Sequence, residues 1–257
     1  MNAQTYSNWE WIIINDGSTD DSEVVISKLI SESQWRGQIT YIKQENAGKH
    51  ISWNRALGIA TGDFFVPADC DDSFVPETLA FFNEKANELR GSEFCNSELS
   101  GISVCCYDPK TSNIIGTQYP EDGIVSNDIE LVYKYHVRGE KWGCIRVDLL
   151  KERPFPEIKG HFYNENYLWF SFPRDGYLKA NYNKKIRAYY FEQNSLTNNK
   201  TYRLDSKKAK MQMSFELWKI WNVGSIIFKY SPKDYFKSYI YLTIAFVKYG
   251  LSILNGK

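Results

Sequence analysis

The chain has 257 residues, enough for one compact domain with a tail, and its 43% hydrophobic and 24% charged content supports a packed core and excludes wholesale disorder. With 31 basic and 31 acidic side chains the formal net charge is zero, which argues against nucleic acid as the partner, because a phosphate backbone selects cationic surfaces. Five cysteines (Cys70, Cys95, Cys105, Cys106, Cys144) without a C-x-x-C pair, no basic-then-apolar leader and no long apolar run point to a reducing, cytoplasmic setting and no membrane-spanning helix.

In chain order, residues 9–14 (WEWIII) are apolar and β-branched and stop at Asn15-Asp16-Gly17, which predicts a buried strand ending in a turn. Asp20 and Asp21 can cap a following helix that carries Val24, Val25, Leu29 and Ile30. Residues 39–43 read as a second strand. Residues 49–60 place Ile51, Ala56, Leu57 and Ala60 at helical spacing, and Thr61-Gly62 ends that helix. A third strand is expected at 63–68, then an acidic loop, then a helix opened by Pro76 and running to about Leu89. Strand and helix alternating at this pitch is the pattern of a parallel sheet covered by helices, and such sheets bind ligands at the carboxyl ends of their strands. Asp16 and Asp69 lie just past two such ends. Beyond residue 100 the segments shorten: strands are expected at 101–107, 113–119 and 142–147, and an aromatic helix at 163–172. Residues 205–257 read as two helices divided near Ser231-Pro232.

The strongest chemical feature is Asp69-Cys70-Asp71-Asp72. Three carboxylates in four residues repel one another unless a cation sits between them, and an oxygen-preferring divalent ion bridging to phosphate is one solution. A helix-capping turn before Pro76 is the other, and spacing alone does not separate them.

Order and context add more. NDGSTDDS at 15–22, NAGKHISWNRALGIATGD at 46–63 and ADCDD at 68–72 together resemble the family-2 glycosyltransferases, whose members carry a DDGSTD turn, an NGGKH helix start and a DSDD loop in that order. The resemblance implies a GT-A-like α/β fold: a mostly parallel Rossmann-type sheet flanked by helices, with a helical C-terminal tail. It implies a transferase domain over 1–200, with a nucleotide-sugar-binding half at 1–100 and an acceptor half at 101–200, followed by a helical extension at 201–257. It also implies an inverting, metal-dependent transfer from a nucleotide sugar, UDP-linked, to a glycan or lipid-linked acceptor of the cell surface, with Mg²⁺ or Mn²⁺ as cofactor.

Residue by residue, the likeness puts the nucleotide base on Asp16, although a turn-forming Asp before Gly17 explains the same residue. Gly48 and Lys49 open a helix whose N-terminus favours an anionic group, and Asn54 falls in the same donor-binding stretch. Asp69 contacts ribose or metal, Asp71 is the more direct metal ligand, and Asp72 orients the loop. Arg55 reads as a phosphate contact or as a surface charge. Glu165, in YNENYLWF before the aromatic helix, takes the place of the catalytic base, with an exposed helix-start glutamate as the competing reading; His161 lies one helical turn earlier. Lys141, Trp142 and Arg146 are candidates for the acceptor cleft. Two departures stand out. Members carry a strand and a helix ahead of the region matching residue 1, so exposed sheet edges and apolar faces are expected here, and a catalytically impaired homologue that only binds nucleotide or a partner transferase is the alternative function. Trp53 stands where many members have an arginine. Residues 225–257 hold five lysines and one acidic residue among many aromatic and aliphatic side chains, which suits either an amphipathic segment on an anionic membrane surface or a helix packed on the domain.

Overall fold

The computed structural model describes residues 1–90, 98–158, 164–190 and 206–254. His161 and Cys95 lie outside the described residues. The chain divides into two compact units, Met1–Ser103 with Gly143–Tyr163, and Val104–Trp142 with Asn164–Lys257.

The first unit opens with a β-α-β arrangement. Strand β1 (Trp11–Asp16) pairs in parallel with β2 (Ile39–Gln44), in register from Trp11↔Ile39 to Asp16↔Gln44. The isoleucine run favours the strand because branched side chains pack well on a pleated surface. Helix α1 (Ser22–Glu32) joins the two strands, and the Asp20 carboxylate accepts from the Ser22 amide at its start. α1 buries none of its residues, and Val24 is 71% exposed. Helix α2 (Lys49–Ile59) turns His50, Trp53, Ala56 and Leu57 inward at helical spacing. Trp53 packs against Phe65 at 4.8 Å and Phe155 at 5.8 Å between ring centroids, so this position fills the core. The third strand is shorter than the expected 63–68: only Phe64–Phe65 (β3) pair, antiparallel to β7 (Lys141–Arg146) through Phe64↔Arg146. A two-residue strand β4 (Ser73–Phe74) and helix α3 (Thr78–Arg90) follow. Strand β5 (Leu99–Tyr107) neighbours β7, and helix α5 (Val147–Lys151) leaves the end of β7.

In the second unit β6 (Ile124–Ser126) pairs antiparallel with β8 (Leu178–Ala188), from Ile124↔Asn181 to Ser126↔Lys179. β8 escapes the sequence pattern because its lysines and asparagines mask the alternation. The strand expected at 113–119 reduces to a single bridge, Tyr107↔Ile114, inside a turn-rich loop. Helix α4 (Asp128–Tyr133) is capped by Asn127, whose side-chain oxygen accepts from the Glu130 amide at 2.8 Å. Helices α6 (Asn166–Arg174), α7 (Ser206–Tyr230) and α8 (Pro232–Leu254) complete the unit. The α7–α8 break falls where Pro232 withholds an amide and Ser231 Oγ accepts from Asp234 N. Ile129, Val223 and Ile227 form a core in which none is more than 1% exposed.

Candidate functional site

The carboxylate of Asp16 ends β1. Its Oδ1 accepts from Gln44 Nε2 at 2.7 Å and from the Ala47 amide at 2.9 Å, and its Oδ2 accepts from the Gly48 amide at 2.8 Å. Partial burial pushes this carboxyl up, but the hydrogen bonds from Gln44, Ala47, Gly48 and Ser52 outweigh it and hold the group below its ordinary value of 3.8. Asp16 is therefore charged and tied to the start of α2. Gly17 makes the approach possible: its φ is +77°, and a Cβ there would stand 2.6 Å from the Asn46 amide nitrogen. Asn46 Nδ2 donates back to the Asp16 carbonyl at 3.0 Å.

Gly48 caps α2 at φ 99°, a conformation that other residues rarely adopt. Lys49 follows at the helix N-terminus, and its Nζ lies 3.0 Å from Asp69 Oδ1 and 3.1 Å from Oδ2. Two links thus join three motifs distant in sequence, Asp16 to Gly48 and Lys49 to Asp69. In the acidic loop the Asp72 amide donates to the Asp69 carbonyl at 3.2 Å. Asp69, Asp71 and Asp72 each bring one carboxylate oxygen within 4.8 Å of the others. An all-oxygen set this close together is of the kind that a hard divalent cation takes. Asp72, given only an orienting role by the sequence, stands with the other two in this cluster.

Asn54 reaches across to a segment distant in sequence. Its amide nitrogen donates to the Phe155 carbonyl at 2.7 Å and to Glu157 at 3.1 Å, and its oxygen accepts from the Phe155 amide at 2.9 Å. The Asn54 side chain therefore pins residues 155–157 onto α2. Beside it an open groove of about 590 Å³ is lined by Gln44, Glu45, Ile51, Asn54, Arg55 and Glu157, among others. Arg55 reaches Gln44 Oε1 at 3.0 Å there, so it lines the groove. Glu157 carried no sequence signal, since it arrives from about a hundred residues away.

Glu165, in the second unit, is half-buried at the N-cap of α6, where its carbonyl accepts from the Leu168 and Trp169 amides. Of the acceptor-cleft candidates, Trp142 is buried, Lys141 donates to the Thr117 and Arg138 carbonyls, and Arg146 is held by Asp148 and the Leu99 carbonyl.

Residues 1–91 match the family model described as Glycosyl transferase family 2. The chain is 25% identical over 201 residues to TuaG of Bacillus subtilis, a glycosyltransferase assigned by name to teichuronic acid biosynthesis, covering 77% of this chain and 73% of that one. It is 28% identical over 203 residues to the GalNAc(5)-diNAcBac-PP-undecaprenol beta-1,3-glucosyltransferase of Campylobacter jejuni, covering 76% of this chain and 59% of that one. Among solved structures, S. aureus TarS 1-349 in complex with UDP-GlcNAc superposes with a TM-score of 0.59 at 15% identity, over 85% of this chain and 60% of that one. The architecture is that of the GT-A α/β fold, with a carboxylate at the end of β1 and an acidic loop after β3. Residues 1–91 thus match the glycosyl transferase family 2 model, and the likeness to proteins named as glycosyltransferases extends over about three quarters of the chain.

Proposed function

We propose that this protein transfers a sugar from a nucleoside-diphosphate donor, UDP-linked, to a glycan or lipid-linked acceptor in cell-surface polysaccharide synthesis, with inversion at the anomeric carbon. The observation that carries the reading is the convergence of the Asp69, Asp71 and Asp72 oxygens within 4.8 Å beside Lys49 at the N-terminus of α2. A cation held there would stand next to a lysine and a helix start, a combination that suits a diphosphate. The relatives named for teichuronic acid and for an undecaprenol-linked glycan support the acceptor class, and the UDP-GlcNAc complex of the structural neighbour supports the donor class.

In this reading Asp69 and Asp71, with Asp72, would hold Mg²⁺ or Mn²⁺, and the bound ion would supply charge neutralisation for a diphosphate leaving group. Lys49, paired with Asp69 at the helix start, would offer its ammonium to a phosphate oxygen of the donor. Asp16 and Gly48 keep the donor-binding loop closed, and Asn54 braces the groove wall. Glu165 takes the proton from the acceptor hydroxyl as it attacks, a role that rests on its sequence context.

The test is nucleotide release from UDP-sugars by the purified chain, with Mn²⁺ or with chelator. Turnover is expected only with the ion. Asp71→Ala should remove it, and Glu165→Gln should lower it by about 10²–10⁴-fold while UDP binding by calorimetry persists. If both variants turn over like the parent, the mechanism is wrong. If the parent binds UDP with Mn²⁺ and never turns over, the chain is a nucleotide-binding homologue.

A further inference from the structure

We propose that the α7–α8 hairpin docks this protein onto an anionic lipid surface, lying in the headgroup plane without crossing the bilayer. Helix α8 is apolar on two faces. Tyr235, Ser238, Leu242 and Ala245 recur at three- and four-residue spacing, and Ser238 and Ala245 are buried, which marks the inner seam. Phe236, Ile240, Ile244 and Val247 recur at the same spacing on the other side, and all four are exposed, Phe236 at 60%. A helix that serves only a soluble core shows polar residues there. Helix α7 extends the same surface: Trp221 is 84% exposed and Phe228 is exposed two turns later. Phe228 meets Phe236 edge-on at 6.2 Å between centroids, so the two helices present one continuous apolar strip.

Charge selects the occupant. Residues 206–254 contain eight lysines and only two carboxylates. Both carboxylates are paired, Glu216 with Lys219 and Asp234 with Lys237, while Lys229, Lys233 and Lys248 are exposed. A second copy of the same strip would bring these cations against their own kind, whereas anionic headgroups complement them. Exposed Trp and Tyr beside aliphatic side chains suit the headgroup boundary. Among the described residues no helix is long and apolar enough to cross a membrane.

The full chain is sedimented with phosphatidylcholine vesicles, with and without phosphatidylglycerol, at low and high salt, in the absence of donor and acceptor, so the outcome is independent of the transfer reaction. Binding is expected only to the phosphatidylglycerol vesicles and is weakened by salt. Lys233→Gln and Lys248→Gln should each weaken it about fivefold. The double variant Phe236→Ser with Val247→Ser should lose at least about tenfold with an unchanged circular dichroism spectrum, because both side chains are exposed. Equal binding to neutral vesicles, or no binding to either, overturns the proposal. So does a dimer on size-exclusion chromatography that Phe236→Ser dissolves while vesicles remain unbound, since the strip then serves a second copy.

Discussion

Replacing Asp16 by Ala distinguishes two roles that the sequence could not separate, base contact and loop clamp. The carboxylate accepts from two backbone amides, Ala47 at 2.9 Å and Gly48 at 2.8 Å, and from the Gln44 side chain at 2.7 Å. Ala47 is buried, so at least its amide loses a partner without full access to water. An orphaned buried donor costs about 1–3 kcal/mol. Because the carboxylate is only half-buried and water can reach Gly48, a loss of about 2 kcal/mol is expected in all. For a chain of this size that lowers the melting temperature by roughly 4–8 °C. The sign with pH follows from the depressed pKa. A carboxyl held below 3.8 contributes its stability above that value and loses it as pH falls through the folded-state pKa. The gap between parent and Asp16→Ala should thus be constant at neutral and mildly acid pH and should close only below about 3.8. Thermal denaturation followed by circular dichroism across pH reads both quantities, with UDP calorimetry in parallel. A variant that melts within about 1 °C of the parent at pH 7 refutes the clamp, and loss of UDP binding in that same variant would assign Asp16 to the nucleotide alone.

Asn54→Ala should destabilise the first unit by about 2–3 kcal/mol, because both backbone groups of buried Phe155 lose their partner at once; urea denaturation measures this, and an unchanged midpoint would remove the brace from the argument. Among the cysteines, Cys144 is fully enclosed and its thiol is pushed up to about 12 by burial, while Cys70 is exposed between Asp69 and Asp71. Iodoacetamide at pH 8 should label Cys70 in the native protein and leave Cys105, Cys106 and Cys144 unlabelled until urea is added, as peptide mapping can show; rapid labelling of Cys144 would contradict the packing of β7.

The sequence by itself determined a good deal. The β-branched run into Asn15-Asp16-Gly17, the helix opened by Gly48-Lys49 and the carboxylates after Phe64-Phe65 were legible because each depends on local chemistry: strand propensity, a left-handed glycine, a turn of like charges. The helix division at Ser231-Pro232 was legible for the same reason, since a missing amide is a property of one residue. Other features were decided by the tertiary structure. The third strand was cut to two residues by its pairing with β7, and β8 formed despite a polar sequence because β5 and β6 both offer it ladders. The hold of the Asn54 side chain on Phe155 and Glu157, about a hundred residues downstream, has no counterpart in the local sequence. The second apolar face of α8 likewise emerges only once the first is seen to be buried. Hydrogen bonds and burial between segments far apart in the chain carry no local pattern, so only the folded backbone can assign them.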